Sequence, residues 1–259
     1  MKARVLSVYD DGSLPATPLI GAKGLAILVE ADGERTLFDT GMRGSYLMHN
    51  MDFLKIDPDE VDRIVISHMH NGHIGGLPAF LEARKETIDV IAPPDHGAER
   101  RDRLFGIPVR RTGFPKMPPE SSAKMNVIAV SGRMRLSENL YVTVSADDPS
   151  GMRENSLVLM TKGGPVLICG CCHAGQDAVI SGAEEAAGEK VRAVIGGMHL
   201  TDKKKAEVYA VAESLKEKGP PALHLCHCTG TVQKMHLRER LGLKAVNDFY
   251  AGTEIQFDV

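Results

Sequence analysis

Short apolar runs rich in β-branched residues recur along the chain, and most end in a glycine- or histidine-bearing loop that leads into a stretch of helical spacing. Runs of this kind read as half-buried or fully buried strands, and the 3.6-residue spacing after them reads as helix. Residues 4–9 alternate and predict a first strand, followed by a turn-rich loop over 10–23 near the mouth of the site. Residues 24–30 and 34–38 predict two strands joined through Asp32-Gly33, a pair that tolerates the positive φ of a type I′ hairpin turn. Residues 45–54 have helical spacing, with Met48, Met51 and Leu54 turned inward. Asp57 then caps a short helix with Pro58 at its first position and acids in its first turn. Ile64-Val65-Ile66 is a short buried strand, Gly75-Gly76 open a helix over 77–85, and 87–92 is the next strand.

The second half repeats this order. Strands over 126–130, 134–136, 140–144, 156–160 and 165–169 precede a helix over 176–187. Ala193-Val194-Ile195 and Ala222-Leu223-His224-Leu225 precede helices over 202–218 and 231–241, and 245–258 alternates as one closing strand bent at Gly252. Between the halves, 100–122 is rich in Arg, Pro and Gly and predicts a loop excursion able to cover a site as a lid. Its Arg100, Arg101, Arg103, Arg110 and Arg111 are either solvated or cationic forks for phosphate. Strands alternating with helices make this an α/β chain, and 259 residues fit one such domain, 1–259, with a sizeable core.

Charge and cysteines narrow the function classes. A formal net charge of −3 gives no electrostatic reason to bind nucleic acid or an anionic membrane. No apolar stretch approaches the ~18 residues of a membrane span, and the amino terminus lacks the apolar core of a signal peptide. The five cysteines cluster as Cys169-Gly-Cys171-Cys172 and Cys226-His-Cys228, unlike a secreted disulfide framework. A soluble cytoplasmic protein is the expectation.

The candidate chemistry lies at strand ends. Ser67-His68-Met69-His70-Asn71-Gly72-His73 puts three histidines directly after a buried strand, where α/β proteins place ligands. Neutral imidazoles suit zinc and iron, and an extended loop lets His68 and His70 face one way while His73 approaches from another. Three more strand ends deliver His or Cys toward helix starts: Cys171-Cys172-His173, Met198-His199 and Cys226-His227-Cys228. Gly175, Thr229 and Gly230 lie at helix starts, whose N–H groups favour anions, and are the phosphate-binding candidates. Asp39, on a strand end, is either a turn former or a group that orients a histidine ligand from behind. The cysteines are either buried and inert or thiolate ligands or redox groups.

The pattern Ser-His-x-His-x-x-His-x-Gly-Gly-Leu after a strand resembles the metallo-β-lactamase-fold superfamily, whose signature is His-x-His-x-Asp-His. Gly72 stands where that signature has aspartate, a ligand of the second metal in dinuclear members, and the adjacent Asn71 offers only a neutral amide. Residues 170–175, 196–200 and 227–230, with 38–41 and 67–77, resemble the branch named for 7,8-dihydropterin-6-yl-methyl-4-(β-D-ribofuranosyl)aminobenzene 5′-phosphate synthase of archaeal methanopterin biosynthesis, along nearly the whole chain.

The resemblance implies an αββα sandwich, an α/β (α+β) fold of two sheets with helices outside. It places Asp147, Asp148 and Glu154 on a loop near the site. It favours Asp39 as a group behind a ligand, and puts Cys171 where other members carry a bridging aspartate. The expected metal ligands are His68, His70, His73, His173, His227 and Cys171. Of these, His68, His70 and His173 form the main set, and His227 or His199 completes the pocket. His73, His199 and Asp39 are the expected catalytic group.

The cofactor is zinc or another divalent metal such as iron or manganese. One ion is held tightly per chain, because Gly72 leaves the second position without its carboxylate. The implied reaction joins a pterin methyl group to an arylamine and expels pyrophosphate, on a small phosphorylated substrate. A metallohydrolase using metal-activated water is the alternative enzyme. A ligand-binding protein that has lost catalysis is the alternative of another class. Homo-oligomerisation is left open.

Overall fold

The alternating start of the chain becomes β1 (Lys2–Tyr9), which forms an antiparallel meander with β2 (Ala26–Ala31) and β3 (Glu34–Phe38). The hairpin turns on Asp32 and Gly33 at φ 56° and 82°, as the Asp-Gly pair predicts. The structure, a computed structural model, describes residues 1–104, 107–145, 151–219 and 221–259, with the side chains of 99–112 outside the description.

In α1 (Gly44–Phe53) Leu47 and Met51 are buried, whereas Met48 and Leu54 are half-buried. A polar residue, Asn50, shares the inner face, and its amide donates to the carbonyls of Val8 at 2.9 Å and Ile20 at 3.0 Å. That ties the loop over 10–23 to the helix. Asp57 accepts the Asp59 N–H at 2.9 Å and caps a single 3₁₀ turn, Pro58–Glu60. β4 (Arg63–Val65) runs parallel to β3. The expected helix over 77–85 is α3 (Leu77–Ala83), and an extra turn, α2 (Asn71–Ile74), forms before it inside the stretch expected as the histidine loop. A Cβ at Gly75 or Gly76 would stand 2.3 Å from the Met42 carbonyl or 2.0 Å from the Thr40 carbonyl. The two glycines thus let the loop after β3 lie directly on the start of the helix. β5 (Ile88–Ala92) continues the parallel run.

The segment expected as a loop excursion is partly regular. β6 (Glu99–Leu104) and β7 (Ile107–Thr112) pair as a separate antiparallel ribbon, and a short α4 (Pro119–Ser122) precedes β8 (Met125–Ala129). Charged residues fill this ribbon, so the apolar alternation that marks a strand was absent from its sequence. The side chains of Arg100, Arg101, Arg103, Arg110 and Arg111, and residues Asp147 and Asp148, lie outside the description.

β9 (Met134–Arg135), β10 (Leu140–Val144), β11 (Asn155–Leu159) and β12 (Val166–Cys169) are antiparallel neighbours. Then α5 (Gln176–Ala187), β13 (Ala193–Gly196), α6 (Lys205–Glu217), β14 (Ala222–Leu225), α7 (Thr231–Leu241) and β15 (Val246–Asp248) make parallel crossovers. The helix expected from 202 begins three residues later, because Glu207 accepts the Lys204 N–H at 2.9 Å and closes the first turn there. The expected single closing strand is two strands. β15 ends the second sheet, and β16 (Glu254–Asp258) crosses to pair antiparallel with β1.

The sheets have the orders β16-β1-β2-β3-β4-β5-β8 and β15-β14-β13-β12-β11-β10-β9. Their inner faces share one core, with Val5, Ile27, Val29, Phe38 and Val65 packed with Val142, Leu157, Ile168 and Ile195. On the outer face of the first sheet Leu28, Leu37 and Ile64 meet Leu47, Met51 and Phe80; on that of the second, Val158, Leu167 and Val194 meet Val179, Val208 and Leu237. The layers are helix, sheet, sheet, helix, the expected αββα sandwich. No helix among the described residues is long and apolar enough to cross a membrane.

Candidate metal centre

The loops after β1, β3, β4, β12, β13 and β14 meet around one cavity of about 670 Å³. It is lined by His68, His70, His73, Cys171, His173, His199, His227 and Cys228, with Asp11, Lys23 and Lys203 among the groups that complete it.

Asp39, fully buried at the end of β3, organises the first sheet's contribution. It accepts the Ser67 N–H and the Ser67 hydroxyl, both at 2.7 Å, and lies 2.6 Å from His73 Nδ1. With the Ser67 hydroxyl proton committed to Asp39, its oxygen is free to accept from His68 Nδ1 at 3.0 Å. Glu154 approaches the same Nδ1 at 3.2 Å. This network assigns the proton to Nδ1 in both rings and leaves each Nε2 lone pair free. His68 Nε2 is buried without a hydrogen-bond partner, an orphan that a metal ion would satisfy.

The second sheet repeats the device. His227 Nδ1 is 2.7 Å from Asp11, and its backbone N–H donates to Asp10 at 2.6 Å. Glu154 accepts the N–H groups of Cys171, at 3.2 Å, and of His173, which fixes the loop after β12. Cys171 Sγ lies 3.4 Å from His73 Nε2. Three histidines are thus each backed by a carboxylate, as metal-ligating histidines commonly are.

Three groups offer one ligand atom per residue, all within 4.8 Å of one another: His68, Glu154, Cys171 and His173; His73, Cys171 and His227; and Cys171, His199 and Cys228. Cys171 belongs to all three. The expected set of His68, His70 and His173 is brought together as rings, with centroids 4.8 to 5.0 Å apart. His70 lines the cavity but stands outside the three groups, where Cys171 and Glu154 complete the His68 and His173 cluster.

Burial and hydrogen bonds set the charges. Burial pushes Asp39 up to about 8 against its bonds from Ser67, and Glu154 up to about 8 against the His173 and Cys171 N–H groups. Burial also holds His68 and His73 well below the ordinary imidazole value, so both are neutral, the form that binds metal. A cation at His73 Nε2 would favour the Asp39 carboxylate that receives the Nδ1 proton. For His227, burial is outweighed by the bond to Asp11 and the charges of Cys228 and Asp11, which bring it up to about 9. For Cys228, burial is outweighed by bonds from Cys171 and His199 and by the His227 charge, which carry it well below an ordinary thiol.

Some sequence-based assignments change place. Asp39, expected in the catalytic group, lies behind His73 and does not line the cavity. His199 stands exposed on the rim, its ring 4.2 Å from that of His173. Gly175, Thr229 and Gly230 lie outside the cavity lining. The Gly175 N–H donates to Cys172 at 2.9 Å and the Thr229 hydroxyl accepts from Met198 at 3.1 Å, so neither is turned to an anion. The sequence reading left Glu154 and Asp11 out of the ligand and support set, and kept Cys228 open between an inert buried thiol, a thiolate ligand and a redox group. Asp11 carried a signal, a carboxylate just past a strand as Asp39 is; Glu154 has no motif spacing to the histidines.

Comparison with known proteins agrees with this arrangement. The profile described as the metallo-β-lactamase superfamily matches residues 20–182. The chain is 26% identical over 262 residues to the 7,8-dihydropterin-6-methyl-4-(β-D-ribofuranosyl)-aminobenzene-5′-phosphate synthase of Methanocaldococcus jannaschii, covering 88% of this chain and 87% of that one. Ribonuclease Z of Sulfurisphaera tokodaii is 34% identical over 99 residues, 35% of this chain and 31% of the relative. The crystal structure of Tm1679, described as a metal-dependent hydrolase of the β-lactamase superfamily, shares the fold with a TM-score of 0.78 at 24% identity over 99% of this chain and all of that one. With its fold, its strand-end histidines and a profile match across more than half its length, the chain belongs to the metallo-β-lactamase superfamily.

Proposed function

We propose that the chain is a metal-dependent enzyme for a small phosphorylated substrate, performing a transfer like that of the dihydropterin-ribofuranosylaminobenzene-phosphate synthase it resembles. One observation carries the metal: His68 Nε2 is buried and unpartnered, while its Nδ1 is held by Ser67 and Glu154. A divalent ion held by His68, His173 and Cys171 would supply Lewis acidity toward a diphosphate oxygen, or activate water.

The chain's own groups do the rest. Asp39, Glu154 and Asp11 fix the rings, so little reorganisation is needed at the reacting centre. Lys23 and Lys203 line the cavity and add positive charge where a phosphate group would enter. His199 is raised above the ordinary imidazole value, chiefly by its hydrogen bond with Cys228. On the exposed rim it can carry a proton to a leaving oxygen. Near-full-length similarity to the synthase supports the transfer. Similarity to ribonuclease Z through a third of the chain supports a second reading, phosphoester hydrolysis.

The test starts from protein purified without added metal and analysed for its elements. About one ion per chain is expected, and His68→Ala should lower affinity by more than the roughly 100-fold loss seen when a ligand's supporting group is removed. The loaded protein should release pyrophosphate from a dihydropterin-methyl diphosphate and the ribosylated arylamine phosphate. Unchanged metal content in His68→Ala would refute the centre. Cleavage of a phosphodiester with no pyrophosphate release would favour the hydrolase, and metal binding with neither activity would favour a binding protein.

A further inference from the structure

We propose that the second sheet's side of the cavity holds a separate site for a thiophilic metal ion, built from Cys171, His199 and Cys228. It goes beyond the proposed function, whose metal rests on the His68 cluster, and it makes His199 a ligand while this ion is bound and a proton carrier only without it. The three residues come from three strand ends, those of β12, β13 and β14, and their ligand atoms lie within 4.8 Å of one another. A zinc-like ion, with bonds of about 2.3 Å to sulfur and 2.0 Å to nitrogen, keeps tetrahedral ligands about 3.5–3.8 Å apart, so movements of about an ångström close the site.

The packing places the Cys228 sulfur. A Cβ at Gly197 would stand 2.5 Å from it, so the loop after β13 approaches this closely because that residue is glycine. The His199 N–H donates to the same sulfur at 3.2 Å, the kind of supporting bond that orients a metal ligand. His199 reaches in from an exposed position and both sulfurs line the cavity, which leaves a fourth coordination position facing the cavity.

The donor set fixes the ion class. Two thiolates and an imidazole select zinc, cadmium or copper(I) over magnesium, manganese or calcium, which prefer oxygen. Binding takes the proton from the Cys171 thiol and releases it to solvent, while Cys228 is already held toward the thiolate. The Cys171 sulfur also belongs to the two histidine clusters, so the two ions would be neighbours that share one sulfur.

Cadmium titration of the metal-free protein tests this, followed by thiolate-to-cadmium charge-transfer absorption and by elemental stoichiometry. Two equivalents are expected. Cys228→Ser should remove one of them and about two-thirds of the band, since two of the three cadmium–sulfur bonds are lost. His199→Ala, at an exposed position, should keep the band and weaken that equivalent about tenfold. Circular dichroism checks that each variant folds. In His68→Ala the Cys228-dependent equivalent should persist while the other is lost. An unchanged band and stoichiometry in Cys228→Ser would overturn the site. So would loss of one and the same equivalent in Cys228→Ser and His68→Ala. Failure of pyrophosphate release with the Cys228-dependent band intact would refute the proposed function and leave this site standing.

Discussion

In the loop after β4, His68 and His73 are 0% and 1% exposed, and their Nδ1 atoms are tied to oxygens inside the sandwich. In the loops after β13 and β14, His199 and His227 stand at φ 47° and 44°, and His199 is exposed. With His70 on the first side and His173 on the second, three histidines from each sheet reach the cavity, by two routes. The first sheet fixes its ligands with a buried network, Asp39–Ser67–His68–His73, that solvent does not reach. Left-handed backbone serves both sides, at Asp39 (φ 62°) on the first and at His199 and His227 on the second, at about 1 kcal/mol or more for each such residue, but the second side adds an exposed ring. A buried network holds a tetrahedral position with little freedom. An exposed ring such as that of His199 can shift with what it binds. Identity and affinity of a metal should thus depend more on the first side, and selectivity between ions and substrates more on the second.

Removing the supporting carboxylates is the strongest way to test this contrast. Asp39→Asn keeps the shape but loses the charge behind His73, and should weaken zinc by about 10- to 100-fold. Asp11→Asn acts on His227 from a carboxylate whose side chain is 43% exposed, where water substitutes for part of the interaction, and should cost less than about tenfold. Competition with a chelating dye measures both. Equal losses would erase the distinction between the two sides.

Restoring the missing motif carboxylate has a smaller, opposite effect. A Cβ at Gly72 meets Gly24 Cα at 3.5 Å and His227 Cε1 at 3.8 Å, ordinary contacts, and the backbone there is outside the left-handed region. Gly72→Asp should therefore fold and should tighten a second zinc beside His73 and His227 by about tenfold, through one more charged ligand. A calorimetric titration of both forms decides it. Two equally tight sites in the unmodified protein, one of them lost in His73→Ala and kept in Cys228→Ser, would show that Cys171 already fills the role.

The smallest effect is on stability against pH without metal. Asp39 and Glu154 are raised from 3.8 and 4.5 to about 8, and His227 from 6.5 to about 9. A raised group contributes stability that is complete below its ordinary value and is lost as pH rises through the folded value. Cys228, lowered in the folded state, acts in the opposite sense, one group against three. His68 and His73, also lowered, matter only below their ordinary 6.5, where acid must charge them. Scanning calorimetry of chelator-treated protein should show Tm falling between pH 6.5 and about 8, less steeply in Asp39→Asn, and levelling above that as His227 and Cys228 oppose each other. A flat or rising Tm would show that these carboxyls are already ionised without metal.

Much of this molecule follows from the sequence because the signals are local. The Asp32-Gly33 turn, the helices at 176–187 and 231–241 and the loop of three histidines each depend on residues within a few positions of one another. Superfamily membership follows from the same loops. Other features depend on partners that no spacing connects. Asp11 and His227 are 216 residues apart, yet 2.7 Å separates their polar atoms. Glu154 supports Cys171 and His173 within the second sheet, but it meets His68 only when that sheet closes on the first. The alternation over 245–258 marks strands but not which sheet each joins, and the chain divides them between the two. Periodicity fixes which face of an element is apolar. Which ends of distant strands meet, and so which donors share one ion, is set by the packing of two sheets over a common core.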